Sequence, residues 1–232
     1  MMNKKVINIF GDITDVPYFE GDMSSVMMSK ELEGDYDEIV VNINSFGGSV
    51  AEGLSIFNQL KQHKAKVTTV CQGFACSIAS IIFLAGDERV ICDNSLVMIH
   101  NPWTVMQGDA NSLRKEADVL DKIAQQSVDI YCQATGLNEE TIKQMMDEET
   151  WLDSKEALEL GFATAIQENS KVDTVVQSVK QSLIGKIKMK KEDDIKEDDI
   201  IETQENVQEQ EQENVQQTTE LNAMGSFLNL FK

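Results

Sequence analysis

Over roughly the first 168 positions, two patterns of apolar and polar residues alternate along the chain. Short runs rich in β-branched residues predict five strands, at residues 6–10, 38–43, 66–71, 89–92 and 96–99. Longer segments between and after these runs carry apolar residues at three- and four-residue steps, which is the period of a helix. Strands that alternate with helices in this way predict an α/β layered domain.

Three helices can be bounded from capping residues. The first opens after Ser49, where apolar residues begin to recur at helical spacing. The second is long, with Asp109 as its N-cap and Gly136 as its stop. A capping-box pattern at Asp153 opens the third helix, which we expect to end at Gly161.

Composition changes sharply near residue 168. Residues 192–220 contain twelve acidic residues, one basic residue and six glutamines, and no aromatic residue. Such a segment offers too little apolar surface to offset the entropy of ordering it. We therefore predict a folded domain over residues 1–168, a disordered, acidic, Gln- and Glu-rich low-complexity tail over 169–220, and a short apolar segment over 221–232. That last segment is either a docking peptide or an ordinary terminus.

Charge and cysteine content exclude several functional classes. With a net charge of −20, the chain is poorly suited to nucleic acid or to a membrane surface as a partner. No apolar run approaches the roughly 18 residues of a membrane span, and polar residues interrupt the N-terminal run too early for a signal peptide, so we expect a cytoplasmic protein. The cysteines lack zinc or C-x-x-C spacing, so we expect buried thiols and no metal or cofactor site: Cys71, Cys76, Cys92 and Cys132.

The two histidines are the first candidates for a general base. His63 lies at a polar helix end beside two lysines and is predicted to be solvated. His100 ends an apolar strand and precedes Asn101 and Pro102, where the chain must turn. Strand ends in α/β folds are rigid and leave room for a ligand, which makes His100 the better candidate. Taken alone, a structural histidine is the more economical interpretation of this position.

Small residues and glycines mark two further strand ends. The small residues at 73–80 predict a tight turn into a helix, with a hydroxyl at the helix N-terminus beside a backbone N–H that could stabilise an oxyanion. The sequence is not G-x-S-x-G, so an α/β-hydrolase is not supported. Gly47 and Gly48 would let a backbone amide approach a ligand closely, although a plain turn would use them equally well.

Together these motifs resemble the Clp protease proteolytic subunit family. The matching segments are I-N-S-x-G-G-S at residues 43–49, G-x-A-x-S at 73–77 and M-I-H-N-P at 98–102, and the resemblance covers residues 5–166. Residues 98–103 and 149–151 look closest to the bacteriophage branch, the ClpP-related head maturation (prohead) proteases. The resemblance implies a ClpP/crotonase-like spiral of ββα units. It also implies a ring-forming homo-oligomer in which a long helix, residues 109–133, is a handle between subunits.

By the same matching, Ser77 is the nucleophile and His100 is the base. This pairing is chemically coherent, because a serine hydroxyl is a poor nucleophile until an imidazole accepts its proton. The resemblance places the oxyanion hole at the backbone N–H groups of Gly48 and Ile78.

More than one residue is a candidate for the acid of the triad. The resemblance selects Glu149, at a position where the family typically has aspartate. Asp147 is the second choice, and a Ser–His dyad assisted by water is the third. Phe46 stands where the family usually has proline, which we expect to change the stiffness of the glycine loop.

The resemblance thus implies a serine endopeptidase that needs no cofactor. Its phage branch points to capsid, scaffold or portal precursors as substrates, in the host cytoplasm or the procapsid, with the tail as a self-cleaved segment or a docking arm. One alternative is a housekeeping Clp proteolytic subunit fed by a separate ATPase unfoldase, since this chain has no P-loop. Two others are a crotonase-type acyl-CoA enzyme, which would not need Ser77 together with His100, and a catalytically inactive scaffold.

Overall fold

The computed structural model describes residues 3–168. In chain order its elements are β1 (Lys4–Ile9), α1 (Ser25–Glu31), β2 (Glu38–Ser45), α2 (Val50–Gln62), β3 (Lys66–Cys76), α3 (Ile78–Phe83), β4 (Glu88–Cys92), β5 (Leu96–Ile99), α4 (Ala110–Thr135), α5 (Glu139–Asp147), β6 (Thr150–Leu152), α6 (Ser154–Glu159) and β7 (Ala165–Gln167). The predicted acidic tail, 169–220, and the apolar segment, 221–232, lie outside the described residues. Within 3–168, no helix has the length and hydropathy needed to cross a bilayer.

The strands form one mostly parallel sheet. β1, β2, β3, β4 and β7 are parallel neighbours in that order, β5 runs parallel to β3, and β6 runs antiparallel to β5. Parallel neighbours require crossover connections, and α2 and α3 supply these between β2, β3 and β4. Helices combined with a mostly parallel sheet confirm the predicted α/β fold class.

The sheet divides along β3. Residues 68–71 of this strand pair with β4, whereas residues 74–76 pair with β5. Our prediction that the strand ends at Cys71, with a turn over the small residues that follow, was wrong for residues 72–76. They stay extended because they gain a second partner strand, and the turn is confined to Ser77.

The core lies between the sheet and the helices packed on it. Alternate residues of β2 are buried, and α2 buries Ile56 and Leu60. All six residues of α3 are buried, so the segment that follows Ser77 runs through the interior. Each large apolar side chain buried in this way contributes roughly 1.5–3 kcal/mol to stability, which holds α3 and the turn before it in place.

The predicted helix starts are confirmed. Three side chains accept hydrogen bonds from the first turns of α2, α4 and α6: Ser49, Asp109 and Asp153. Gly136 caps α4 with a φ of 79°, as predicted, whereas α6 ends at Glu159, two residues before Gly161. Four short elements were not predicted: α1, α5, β6 and β7.

Two predictions about burial were correct only in part. Cys71 and Cys76 are buried, but Cys92 and Cys132 are half-buried. His63 is also half-buried rather than solvated. Its Nδ1 accepts a hydrogen bond from the Ala65 N–H at 3.0 Å, because the chain turns tightly there between α2 and β3.

Candidate active site

Ser77 is the N-cap residue of α3, yet its hydroxyl does not cap the helix. Its backbone has φ 55° and ψ −130°, a conformation that costs on the order of 1–3 kcal/mol in a non-glycine residue. This conformation directs the hydroxyl away from the helix and towards His100, whose Nε2 lies 2.8 Å from Ser77 Oγ. The structure thus brings together the two side chains that the sequence singled out.

Strand pairing explains why these two side chains meet. His100 directly follows β5, which pairs with the end of β3, and the Ser77 N–H donates to the Met98 carbonyl at 2.9 Å. The two residues therefore project from the ends of adjacent strands. With the imidazole proton on Nδ1, Nε2 accepts the hydrogen bond from the Ser77 hydroxyl. The His100 side chain is only 18% exposed, which limits competition from water.

The glycine loop after β2 packs directly against this turn. Gly47 and Gly48 have φ values of 104° and 143°, which side-chain-bearing residues rarely adopt. A Cβ added to Gly47 would lie 2.8 Å from Ser77 Cβ and 3.3 Å from the Ile78 nitrogen. Only a glycine backbone can approach the turn this closely.

Two backbone N–H groups are available beside Ser77. Gly47 and Ser49 make the hydrogen bonds to Ile13, at 2.9 and 2.7 Å, so the N–H of Gly48 between them faces the other side of the loop. Ile78 is the first residue of α3, and the N–H at that position has no acceptor within its own helix. Their positions suit the pair of oxyanion donors that the resemblance implies.

Glu149 lies on the opposite side of the imidazole. Its Oε2 is 4.0 Å from His100 Nδ1, whereas a hydrogen bond would need about 2.7–3.2 Å. The side chain is 57% exposed, and its Oε1 accepts a hydrogen bond from Trp151 Nε1 at 3.3 Å. Catalytic hydrogen bonds are often long before substrate binds and shorten in the complex, so this separation is compatible with a triad.

Asp147 is engaged elsewhere. Its Oδ1 accepts a hydrogen bond from Asn101 Nδ2 at 2.7 Å. The carboxylate thus contacts the neighbour of His100 rather than the imidazole. This geometry favours Glu149 over Asp147 as the acid of the triad.

The thiol of Cys76, next to the candidate nucleophile Ser77, is unreactive at neutral pH. Burial, reinforced by the nearby charge of Glu149, raises the pKa of Cys76 to about 11. The thiol is therefore protonated at neutral pH, and a thiol nucleophile requires the thiolate. Of the two adjacent side chains, Ser77 is the one equipped to react.

Two grooves lie near the Ser77–His100 pair, one beside Asn101 and one beside the glycine loop. One, of about 490 Å³, is lined by Asn101, Pro102 and facing residues of α4 and α5. The other, of about 390 Å³, runs along the glycine loop. Near the loop, Phe46 stacks on Phe74 at 5.0 Å between ring centroids, and Trp151 meets Phe74 edge-on at 6.4 Å. These aromatic contacts were not predicted from the sequence.

Sequence reasoning also missed residues that support the turn from behind. A Cβ on Gly53 would lie 2.1 Å from Ile78 Cγ1, so this helical glycine makes room for the residue after Ser77. A glycine within an apolar helical pattern could have indicated such close packing. Ser80 and Tyr131 form a second buried contact there, with 2.7 Å between their hydroxyl oxygens.

Comparisons with known proteins identify a family to which the chain is similar. A family model described as Clp protease matches residues 1–170. A protein of Chlorella vulgaris named ATP-dependent Clp protease proteolytic subunit is 31% identical over 151 residues, which is 64% of this chain and 75% of that protein. A protein of Pleurastrum terricola with the same name is 30% identical over 168 residues, or 72% and 85% of the two chains. Together with the mostly parallel sheet, these matches support the expected ClpP-type fold.

Proposed function

The chain belongs to the Clp protease family, and we propose that it is a serine endopeptidase with Ser77 as its nucleophile and His100 as its base. Family membership makes it a ClpP-type serine peptidase. The observation that carries the assignment of residues is the 2.8 Å contact between Ser77 Oγ and His100 Nε2. No other pairing of a histidine with a nucleophilic side chain was indicated by the sequence.

In the proposed acylation, Ser77 Oγ attacks the carbonyl carbon of the scissile bond while His100 Nε2 takes the hydroxyl proton. The new C–O bond displaces the carbonyl π electrons onto oxygen, where the N–H groups of Gly48 and Ile78 donate to the negative charge. Each such donor contributes on the order of 10²-fold or more in rate. His100 then gives its proton to the leaving amine as the C–N bond breaks, and a water molecule activated by the same ring hydrolyses the acyl-serine.

Glu149 has a supporting role in this scheme. Its carboxylate orients the imidazole and stabilises the cation that forms when His100 takes the serine proton. A modest rotation of this exposed side chain would shorten the 4.0 Å separation from Nδ1. Asp147 and a dyad assisted by water are the remaining options.

We also propose a biological context, the maturation of phage heads by cleavage of capsid, scaffold or portal precursors. Support comes from the resemblance of residues 98–103 and 149–151 to the prohead protease branch. In this proposal the chain assembles into a ring that encloses its active sites, in the host cytoplasm or the procapsid. Enclosure would restrict cleavage to the chains that are admitted.

A Clp proteolytic subunit served by a separate ATPase is the second candidate context. The two relatives described above favour it, because each is named as an ATP-dependent proteolytic subunit. The test presents the assembled full-length protein with a folded substrate and with an unassembled capsid precursor, each with and without a Clp ATPase and ATP. Cleavage of the folded substrate only with ATPase supports this second context, whereas cleavage of the precursor without ATPase supports phage head maturation.

A fluorophosphonate probe tests the chemistry itself. The probe should label the full-length protein at Ser77, as mapped by mass spectrometry, and labelling should disappear in the His100→Ala variant. The His63→Ala variant is the matched control and should label normally. Failure of the assembled protein to label at Ser77 would reject the proposed chemistry and favour a catalytically inactive scaffold.

A further inference from the structure

A line of hydrogen-bonded groups runs from α4 to the turn that carries Ser77. The Ser80 Oγ lies 2.7 Å from the Tyr131 hydroxyl and 2.6 Å from the Ser77 carbonyl oxygen. A carbonyl oxygen can only accept, so the Ser80 hydroxyl donates to it and must in turn accept from Tyr131. The direction of each hydrogen bond in the line is therefore determined.

The two side chains in this line are inside the protein. Ser80 is 0% exposed and Tyr131 is 2% exposed. The Tyr131 ring packs against Phe162, with 5.8 Å between centroids, and this contact fixes the place of its hydroxyl. Hydrogen bonds are stronger where water is excluded, and successive bonds in a chain polarise one another. The line is thus a rigid connection between α4 and the turn.

The line ends at the Ser77 carbonyl oxygen, which belongs to the peptide group that joins Ser77 to Ile78. The Ser77 carbonyl and the Ile78 N–H lie in the same planar, trans peptide unit, so they point in opposite directions. The Ser80 N–H also donates to this oxygen, at 3.0 Å. Two donors from one residue hold the carbonyl on the interior side, and the plane of the peptide then determines where the Ile78 N–H points.

We propose that Ser80 and Tyr131 are positioning residues that aim the Ile78 N–H at the oxyanion formed during peptide hydrolysis. The inference rests on the proposed endopeptidase function. Both hydroxyls lie behind the turn and act through the peptide group rather than on the substrate. Without the Ser80 hydroxyl, the Ser77 carbonyl keeps only the backbone N–H of Ser80, and the peptide plane gains freedom to tilt.

The test compares Ser80→Ala and Tyr131→Phe with the unaltered full-length protein. We expect kcat for a short peptide to fall by about 5- to 50-fold, less than the 10²–10³-fold lost when an oxyanion donor is removed, with KM nearly unchanged. Affinity for a peptidyl boronate, whose serine adduct places an oxygen in the oxyanion hole, should fall by a similar factor. The double variant should lose little more than Ser80→Ala alone, because one change already breaks the line.

Ser154→Ala is the matched control. Ser154 is 3% exposed, and its hydroxyl donates to the Asp93 carbonyl at 3.0 Å rather than to a carbonyl of the turn. This variant should unfold at a lower temperature with kcat and boronate affinity unchanged. If Ser80→Ala and Tyr131→Phe behave in the same way, the pair is merely structural and the inference is overturned. An unaltered protein that neither hydrolyses peptide nor labels with fluorophosphonate would instead overturn the proposed function, and the inference with it.

Discussion

The two sides of the His100 ring are built differently. Nε2 contacts Ser77 Oγ at 2.8 Å, in a turn held by the buried helix α3, whereas Nδ1 is 4.0 Å from a Glu149 side chain that is 57% exposed. A positive φ does not distinguish the two sides. Ser77 and Glu149 are the two non-glycine residues with positive φ in the described part of the chain. The buried helix α3 and the glycine loop pack against the turn that carries the proposed nucleophile, while a surface turn and one hydrogen bond from Trp151 place the proposed acid.

We infer that the geometry is most tightly constrained at Ser77, where the proposed mechanism forms the covalent bond. A displaced nucleophile loses the alignment on which attack depends, whereas an acid that orients the imidazole tolerates some rearrangement when substrate binds. Backbone strain at Ser77, on the order of 1–3 kcal/mol, persists because the surrounding core determines this position. Glu149, the other residue with positive φ, lies in a surface turn where its N–H donates to the Met146 carbonyl at 3.3 Å.

The largest effect is expected on the nucleophile side. Ser77→Ala or His100→Ala should each lower kcat/KM for a short peptide by about 10⁴-fold or more, because neither residue of the pair works alone. The melting temperature should change little. The His63→Ala variant should retain full activity, and substantial activity in Ser77→Ala would contradict the assignment.

The glycine loop should give the next largest effect. In Gly48→Ala, the added Cβ would lie 2.2 Å from the Ile13 carbonyl oxygen at a φ of 143°, so the loop must move. We expect kcat to fall by about 10²- to 10³-fold, as when an oxyanion donor is lost.

Gly136→Ala is the control, because it adds a Cβ at a positive φ without a steric clash. It also has a positive φ, 79°, but its Cβ would meet nothing within 4 Å. This variant should lose about 1–2 kcal/mol of stability and keep its activity. An equal loss of kcat in both glycine variants would show that the loop has no special role.

The acid side should be more tolerant. Glu149→Gln should lower kcat by about 10- to 100-fold, less than the roughly 10⁴-fold that a buried triad aspartate contributes, because this carboxylate is exposed and distant from Nδ1. Asp147→Asn should cost less than about 3-fold, since an exposed polar contact contributes little. A greater loss in Asp147→Asn than in Glu149→Gln would reverse the assignment of the acid.

The smallest effect is expected at Trp151. Trp151→Phe removes the N–H that donates to Glu149 and keeps a ring to pack on Phe74. Losing one exposed hydrogen bond to a charged group should lower kcat by about 2- to 5-fold. Combined with Glu149→Gln, the substitution should cost nothing further, because Trp151 acts through Glu149. An additive loss would mean that the indole contacts the substrate instead.

The same contrast explains what the sequence revealed. Ser77 and His100 follow regular strands, and short motifs at strand ends can be recognised from sequence. Asp147 ends α5 and Glu149 follows two positions later, so both carboxylates were candidates and only the resemblance ranked Glu149 first. Their different contacts, Glu149 with His100 and Trp151 and Asp147 with Asn101, supply a physical basis for that ranking. Such contacts join distant parts of the chain and leave no local pattern.

Local sequence patterns also limited what could be predicted of the fold. Strands and capped helices with clear periodicity were predicted, whereas β6 and β7 contain three residues each, too few to display a period. Residues 72–76 were missed because their partner, β5, lies about 20 residues further along the chain. Ser80 and Tyr131 are 51 positions apart, so their contact could not be anticipated.

The division of the sheet along β3 constrains how this chain can change in length. Successive residues of a strand face opposite sides, so inserting or deleting one residue between Cys71 and Cys76 would reverse the direction of every side chain up to Ser77. The serine would then turn its hydroxyl away from the imidazole while the strand remained intact. In loops such as residues 101–109, side chains do not alternate between two faces of a strand. Variants of different length can therefore gain or lose residues there without separating the Ser77 hydroxyl from the His100 imidazole.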